Sequence, residues 1–185
     1  KVMKLCELIP SEYTSEQVKK TLSSFLTNIL GKGVVNAKDT VNFIGNRIGC
    51  FFMLKGLHEG VKARKQNISL EKMDALLSKP VGLPPTGLYG LIDLIGLDVM
   101  FSVGKNLAIN LPKDDLGRDF VSLPHDEQKL YDKGQLGRKT GGGFYRIKKM
   151  NNGEKLKEVY NIESQTWVSA GREVENAKSD IMLDN

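Results

Sequence analysis

Val2-Met3-Lys4-Leu5-Cys6-Glu7-Leu8-Ile9-Pro10 is the stretch from which the fold is read. It is short, apolar-rich and closed by a proline, which cannot donate to a strand ladder, so residues 2–9 predict a strand. Thr14-Ser15-Glu16-Gln17 then reads as a capping box on Thr14 and Gln17. Behind it Val18, Leu22, Phe25, Leu26 and Ile29 recur at helical spacing on one face, and Gly31 follows as a stop. Gly33-Val34-Val35-Asn36-Ala37 predicts a second strand. Strand, helix and strand in close succession make a βαβ unit and imply a parallel pair. Parallel sheets have more strands than two and are covered on both faces. The sheet is therefore expected to have members beyond this sequence, which opens on Lys1 without the layout of a signal peptide.

After Asp39 the pattern changes. Phe43, Ile44, Ile48, Phe51, Phe52, Leu54, Leu57 and Val61 make residues 43–64 a long helix that is apolar nearly all round. Such a helix is buried on most sides or packs against another subunit. Ser69 predicts the cap of a short helix carrying Leu70, Met73, Leu76 and Leu77, and Pro80 to Pro85 predict a break. One further helix is expected from Leu88 or Leu91 to about Asn110, and another opening on Ser122-Leu123-Pro124 with Ser122 as cap. Leu136 to Gly143 is a glycine-rich loop. Phe144–Ile147 and Leu156–Tyr160 flank Asn151-Asn152-Gly153 as a β-hairpin.

The chain has 185 residues, 40% hydrophobic and 26% charged, which excludes disordered, collagenous and disulfide-scaffold classes. Two cysteines, Cys6 and Cys50, are too few for a four-cysteine metal site or a disulfide framework and fit a reducing compartment. No apolar run is long enough to span a membrane. The net charge is +5, but it comes from lysines spread along the chain, densest at Lys148, Lys149, Lys155 and Lys157 beside the hairpin turn. Aromatics do not interleave with them, so a solvated basic turn is the expected reading and a nucleic-acid surface is not. The same mild field would suit a phosphate-bearing small ligand.

Common catalytic patterns are missing. Gly31-Lys32-Gly33 lacks the third glycine of a dinucleotide turn and follows a helix, and Gly141-Gly142-Gly143 lacks it too. There is no P-loop, metalloprotease helix or serine-hydrolase elbow. His58 and His125, the two histidines, have no metal-ligand spacing and read as surface or structural residues.

Four segments carry a resemblance. They are Val2-Met3-Lys4-Leu5-Cys6-Glu7; Lys38-Asp39-Thr40-Val41-Asn42-Phe43-Ile44-Gly45-Asn46-Arg47; the stretch from Gly82-Leu83-Pro84-Pro85-Thr86-Gly87-Leu88 through Asp93 to Gly96-Leu97-Asp98; and Gly137-Arg138-Lys139-Thr140-Gly141-Gly142-Gly143-Phe144-Tyr145. In this order they resemble the 3-hydroxyacyl-CoA dehydrogenase family over residues 1–147, in its long, multifunctional fatty-acid oxidation form. The resemblance implies a mainly α fold: an all-helical C-terminal domain, preceded by a βαβ remnant of a Rossmann-type domain and followed by a small β-hairpin. Residues 1–38 would end the NAD-binding domain, 39–147 would form the helical domain, and 148–185 would extend toward a further domain. The implied activity is oxidation of a (S)-3-hydroxyacyl-CoA to the 3-ketoacyl-CoA with NAD, in fatty-acid β-oxidation.

The resemblance also implies roles. Glu7 matches the glutamate that pairs with the family's catalytic histidine, which would lie before Lys1; a fragment without it, and without the NAD-binding strands, is expected to be inactive alone. A carboxylate on the far ring nitrogen fixes the tautomer of such a base and stabilises its charged form. Asn46 matches an asparagine that contacts substrate at the reacting centre, while Arg47 either touches ligand or pairs with a carboxylate such as Asp39. Leu83, Pro84, Thr86 and Leu88 are candidates to line the acyl-chain pocket, unless their loop is a plain inter-helix turn. NAD would be bound by the missing domain, with no cofactor or metal expected in this chain. An acyl-CoA is the implied substrate, and a homodimer through the helical domain the implied assembly, in the bacterial cytoplasm or a mitochondrial matrix. The family pattern has Pro-Gly where this chain has Val41-Asn42, which puts the entry to the long helix in question. The alternative reading, a non-enzymatic helical module binding anionic partners, needs no missing domain.

Overall fold

In the computed structural model, which describes residues 3–171, Leu5–Leu8 (β1) and Gly33–Asn36 (β2) pair in parallel, with Leu5 opposite Gly33 and Glu7 opposite Val35. Between them runs α1, Glu16–Ser24, whose last turn loosens into a π-type turn over Phe25–Ile29. The cap is Ser15, not Thr14: its hydroxyl accepts the Val18 N–H at 3.3 Å. Thr14 is held back in a turn with Ser11, and Gln17 reaches forward to Thr21 at 3.3 Å, so neither is free to close the expected box. Gly31, at φ 61°, ends the helix as expected.

The chain divides into two units, Lys1–Cys50 and Phe51–Asn185. The first holds the parallel pair, α1 and the start of the long helix α2, Gly45–Lys65. Its apolar face on α1 is open: Val18, Leu22, Phe25 and Ile29 are all exposed.

The second unit has a core built from the continuation of α2 with α3 (Leu70–Leu76), α4 (Gly87–Ile95), α5 (Leu97–Asn110) and α6 (His125–Asp132). Leu54, Leu57, Leu88, Tyr89, Ile92, Met100 and Phe144 are fully buried in it. The Tyr89 and Phe144 rings meet edge to face at 4.8 Å. The nearly all-round apolar helix expected over 43–64 is buried on its later turns, at Met53, Leu54 and Leu57, while Ile48 is exposed. Arg64 pairs with the fully buried Glu127 at 2.9 Å.

Two boundaries differ from expectation. The single helix predicted up to Asn110 is two helices, α4 and α5, meeting at an 88° bend. Gly96 stands at the break with φ 109°, and the Leu97 N–H bonds to Leu136 across the fold rather than along a helix. Ser122 is not a cap; α6 starts after Pro124, and the Ser122 carbonyl accepts a bond from His58 Nε2 at 2.8 Å.

The predicted hairpin forms as β3, Tyr145–Lys149, and β4, Lys155–Asn161, with Tyr145 opposite Val159. A third strand, β5, Thr166–Ser169, extends the antiparallel sheet. Strands β4 and β5 fall within residues 148–185; residues 172–185 lie outside the described residues.

Candidate functional site

Glu7 sits near the end of β1, where the parallel pair opens toward the start of α2. Its carboxylate is gripped by backbone: Oε2 accepts the Ile44 N–H at 3.0 Å and Oε1 the Gly45 N–H at 2.7 Å. These are N–H groups of the opening helix turn, which have no partner inside the helix. A Cβ at position 45 would meet Glu7 Oε1 at 2.7 Å, so a larger residue there would push the carboxylate from its place. The chain enters this turn through two left-handed residues, Asn42 at φ 60° and Phe43 at φ 52°. Asparagine is among the residues that tolerate that region, so Asn42 can take this bend without a glycine. The exposed Asn46 follows Gly45 directly, so Glu7 and Asn46, named separately from sequence, come to one helix start.

This geometry has a chemical consequence. Each carboxylate oxygen accepts one backbone N–H and keeps a further lone pair. The group is fixed in place yet still able to accept from an incoming donor such as an imidazole N–H.

The expected acyl loop divides. Leu88 is fully buried and packs on Gly56, where a Cβ would lie 2.7 Å from it, so it belongs to the core. Leu83 is half-buried, Pro84 exposed, and Thr86 lines a cavity of 690 Å³ with Gly90, Asp93, Tyr145, Arg146 and others. Behind its wall lies a buried polar network that sequence reading did not single out. Asp74 accepts the Tyr89 N–H at 2.7 Å, the Gly90 N–H at 3.0 Å and the Tyr145 hydroxyl at 3.0 Å. It thereby caps α4 in place of Thr86, whose Oγ1 is left buried and unpartnered. Asp93 accepts the Phe144 and Tyr145 N–H groups at 2.8 and 2.7 Å and so pins the glycine-rich loop to α4. Gly143 must be glycine because any Cβ would overlap Asp93 Oδ1. The signal was present in sequence: Asp93 is a lone acid inside the apolar run Leu88–Leu97.

Burial disfavours charge in this network. It pushes Asp93 up to about 6, against the pull of the Phe144 and Tyr145 N–H bonds, and raises Asp74 above the usual carboxylate range. The Tyr145 phenol is pushed well up, by burial and then by the Asp74 charge beside it.

His58, bonded to Ser122 and edge-on to Phe120 at 5.5 Å, is a structural residue, as its spacing suggested. Among the described residues no cluster of histidine, cysteine and acid side chains could hold a metal ion, and no single helix is long and apolar enough to cross a membrane. The β1-to-α1 connection runs through Ser11–Ser15 without a glycine. It provides no cradle for a dinucleotide pyrophosphate, so these residues do not fit NAD.

Comparison with known proteins agrees with this geometry. The chain is 39% identical to a putative fatty acid oxidation complex trifunctional enzyme of Rickettsia prowazekii, over 89% of the chain and 22% of that protein. It is 32% identical to the mitochondrial hydroxyacyl-coenzyme A dehydrogenase of Mus musculus, over 80% of the chain and 44% of the mouse protein. The crystal structure of (S)-3-hydroxybutyryl-CoA dehydrogenase from Ralstonia eutropha superposes with a TM-score of 0.61 at 30% identity, over 77% of this chain and 47% of that one. The chain spans less than half the length of each of these relatives. Residues 43–147, more than half the sequence, match the 3-hydroxyacyl-CoA dehydrogenase C-terminal domain. With the helix start, the bent α4–α5 pair and the loop pinned by Asp93 all inside or beside that match, the chain belongs to the 3-hydroxyacyl-CoA dehydrogenase family and carries its C-terminal domain.

Proposed function

We propose that this chain supplies the substrate-side half of an NAD-dependent 3-hydroxyacyl-CoA dehydrogenase acting in fatty-acid oxidation. The observation that carries the reading is the Glu7 carboxylate, fixed by the Ile44 and Gly45 N–H groups one residue before Asn46. Removing hydride from C3 of the substrate requires loss of the hydroxyl proton, and a histidine is suited to take it. In this reading Glu7 accepts the far N–H of that histidine and so sets its tautomer. Asn46 donates its amide to the oxygen that becomes the ketone. Leu83 and Pro84, which keep accessible apolar surface, touch the acyl chain. NAD is held by a glycine-rich turn that this sequence does not contain, and residues 1–38 are the last part of that nucleotide domain, with 39–147 the helical domain and 148–185 the extension beyond it. Ile48 and Phe51, exposed on the early turns of α2, and Ile44 just before it, support a homodimer through this domain. A bacterial cytoplasm or mitochondrial matrix suits the two free cysteines. The family match does not favour the helical interaction module.

The test is a chimera in which this chain replaces the matching part of the Ralstonia eutropha dehydrogenase. NADH formation from 3-hydroxybutyryl-CoA is the expected outcome. A folded chimera that binds NAD and turns over no 3-hydroxyacyl-CoA would overturn the reading.

A further inference from the structure

The turn that leads into α2 follows a course that local structure explains only in part. Asn42 stands at φ 60°, and Phe43, directly after it, at φ 52°. For Asn42 there is a local reason. The Phe43 N–H donates to the Thr40 carbonyl at 3.0 Å, which makes Asn42 the third residue of a tight turn, a place that takes positive φ and suits asparagine. Phe43 has no such reason. A bulky aromatic residue rarely enters the left-handed region, and residues that do visit it do so singly. The Phe43 ring is 37% exposed, so burial of the ring does not hold the backbone there. The neighbouring Asn42 Nδ2 is buried without a hydrogen-bond partner, so a bond from that amide does not hold it either. Strain of this kind persists where other contacts over-determine it, and it gathers at functional sites. The contacts in question come immediately after Phe43: the Ile44 and Gly45 N–H groups donate to Glu7 Oε2 and Oε1, at 3.0 and 2.7 Å.

We propose that Phe43, with Asn42, is a positioning residue for Glu7. Its left-handed backbone aims two successive N–H groups at one carboxylate, one to each oxygen, and successive N–H groups presented by such a turn form a concavity suited to an anion. The rotation of the carboxylate about its last bond is thereby fixed, and with it the direction in which Glu7 meets a histidine. Phe43 touches no reacting atom; it acts through Glu7. This role rests on the dehydrogenase reading of Glu7 given above. Valine and glycine separate the backbone from the ring. A β-branched valine keeps an apolar side chain but resists positive φ, whereas glycine adopts it freely and has no side chain.

The test uses Phe43→Val, Phe43→Gly, Asn42→Val and Asn42→Gly in the chimera with the Ralstonia eutropha dehydrogenase, with Glu7→Gln alongside. Both valine variants are expected to lower kcat about 10- to 100-fold with KM within about threefold of the parent, since a small misplacement of a catalytic group is enough for such a loss. Both glycine variants should stay within about threefold of the parent in kcat. In the 185-residue chain, the Ile44 and Gly45 amide protons should exchange with solvent about tenfold faster in the valine variants and at nearly parental rates in the glycine variants. A loss of kcat in Phe43→Gly as large as in Phe43→Val would give the role to the ring and overturn the proposal. So would parental kcat in both valine variants while Glu7→Gln is impaired, or unchanged exchange at Ile44 and Gly45. The glycine variants decide the matter even where a valine variant does not fold. Parental kcat in Glu7→Gln would instead remove the dehydrogenase reading, and the exchange rates would still decide whether this turn positions the carboxylate.

Discussion

The two units solve burial in opposite ways. In the helical unit Leu57, Leu88 and Ile92 have no exposed surface, and two buried acids inside have partners, Glu127 in Arg64 and Asp93 in two backbone N–H groups. In the βα unit the helix shows the same apolar spacing, yet Ile29 is 70% exposed and Leu22 is 43% exposed. Identical periodicity thus gives a core in one place and an open face in the other. What differs is the number of surrounding layers: a two-stranded parallel pair has too little surface to cover a helix. The open unit nonetheless carries the residue tied most directly to the proposed chemistry, Glu7, and it holds that residue by hydrogen bonds rather than by packing.

The largest effect that would sharpen this contrast is expected at Leu57→Ala. Leaving a cavity where the side chain is fully enclosed should cost the helical unit about 3–4 kcal/mol in urea unfolding. Gly143→Ala comes next, at about 2–3 kcal/mol, because its methyl must displace either Asp93 or the loop that Asp93 holds. Asp93→Asn should cost about 1–3 kcal/mol, since an amide cannot accept from both the Phe144 and the Tyr145 N–H.

The same substitution carries a pH signature. Asp93 titrates near 6 in the folded chain because it is buried, above its unfolded value. The folded state therefore binds this proton more tightly. The stabilisation is complete below about pH 4 and is lost as pH rises through about 6, roughly 2–3 kcal/mol in all. Asp74 shifts the same way and Asp98, bonded to Lys139, the opposite way, so the quantity to measure is the difference between parent and Asp93→Asn across this window. Equal slopes in the two proteins would show that Asp93 does not bind the proton. The smallest effect is expected at Leu22→Ala, within about 0.5 kcal/mol, because its side chain already meets solvent. A cost as large as that of Leu57→Ala would mean that the α1 face is covered.

Much of this was legible in the sequence, for identifiable reasons. The βαβ order, the caps at Gly31 and Ser69 and the hairpin about Asn151-Asn152-Gly153 follow from local spacing and turn chemistry, and they form. The break at Gly96 was hidden because the apolar run continues through it; what breaks the helix is the bond from Leu97 to Leu136, a distant partner. Ser122 looked like a cap, but its carbonyl is taken by His58 from another helix. Strand β5 has four residues and no alternation to reveal it. At the candidate site, the residue types of Glu7 and Asn46 pointed to the chemistry, but their meeting depends on two left-handed residues, Asn42 and Phe43, that no periodicity announces. Leu88 illustrates the converse: an apolar residue in a loop-like motif reads as a candidate for the acyl pocket or as part of a plain turn, and it packs on Gly56 in the core.

The most direct test of the account is Glu7→Gln in the chimeric dehydrogenase, read as kcat, KM and melting temperature together. Glutamine keeps the shape and one acceptor for the α2 N–H groups, but loses the charge that orients and stabilises a histidine base. The expected result is a fall in kcat of about 10²–10⁴-fold, with little change in KM and only a small fall in melting temperature, because the N–H group that loses its acceptor lies in a solvent-exposed bond and can turn to water. A kcat within about twofold of the parent would contradict the account and leave Glu7 a structural anchor of the helix start.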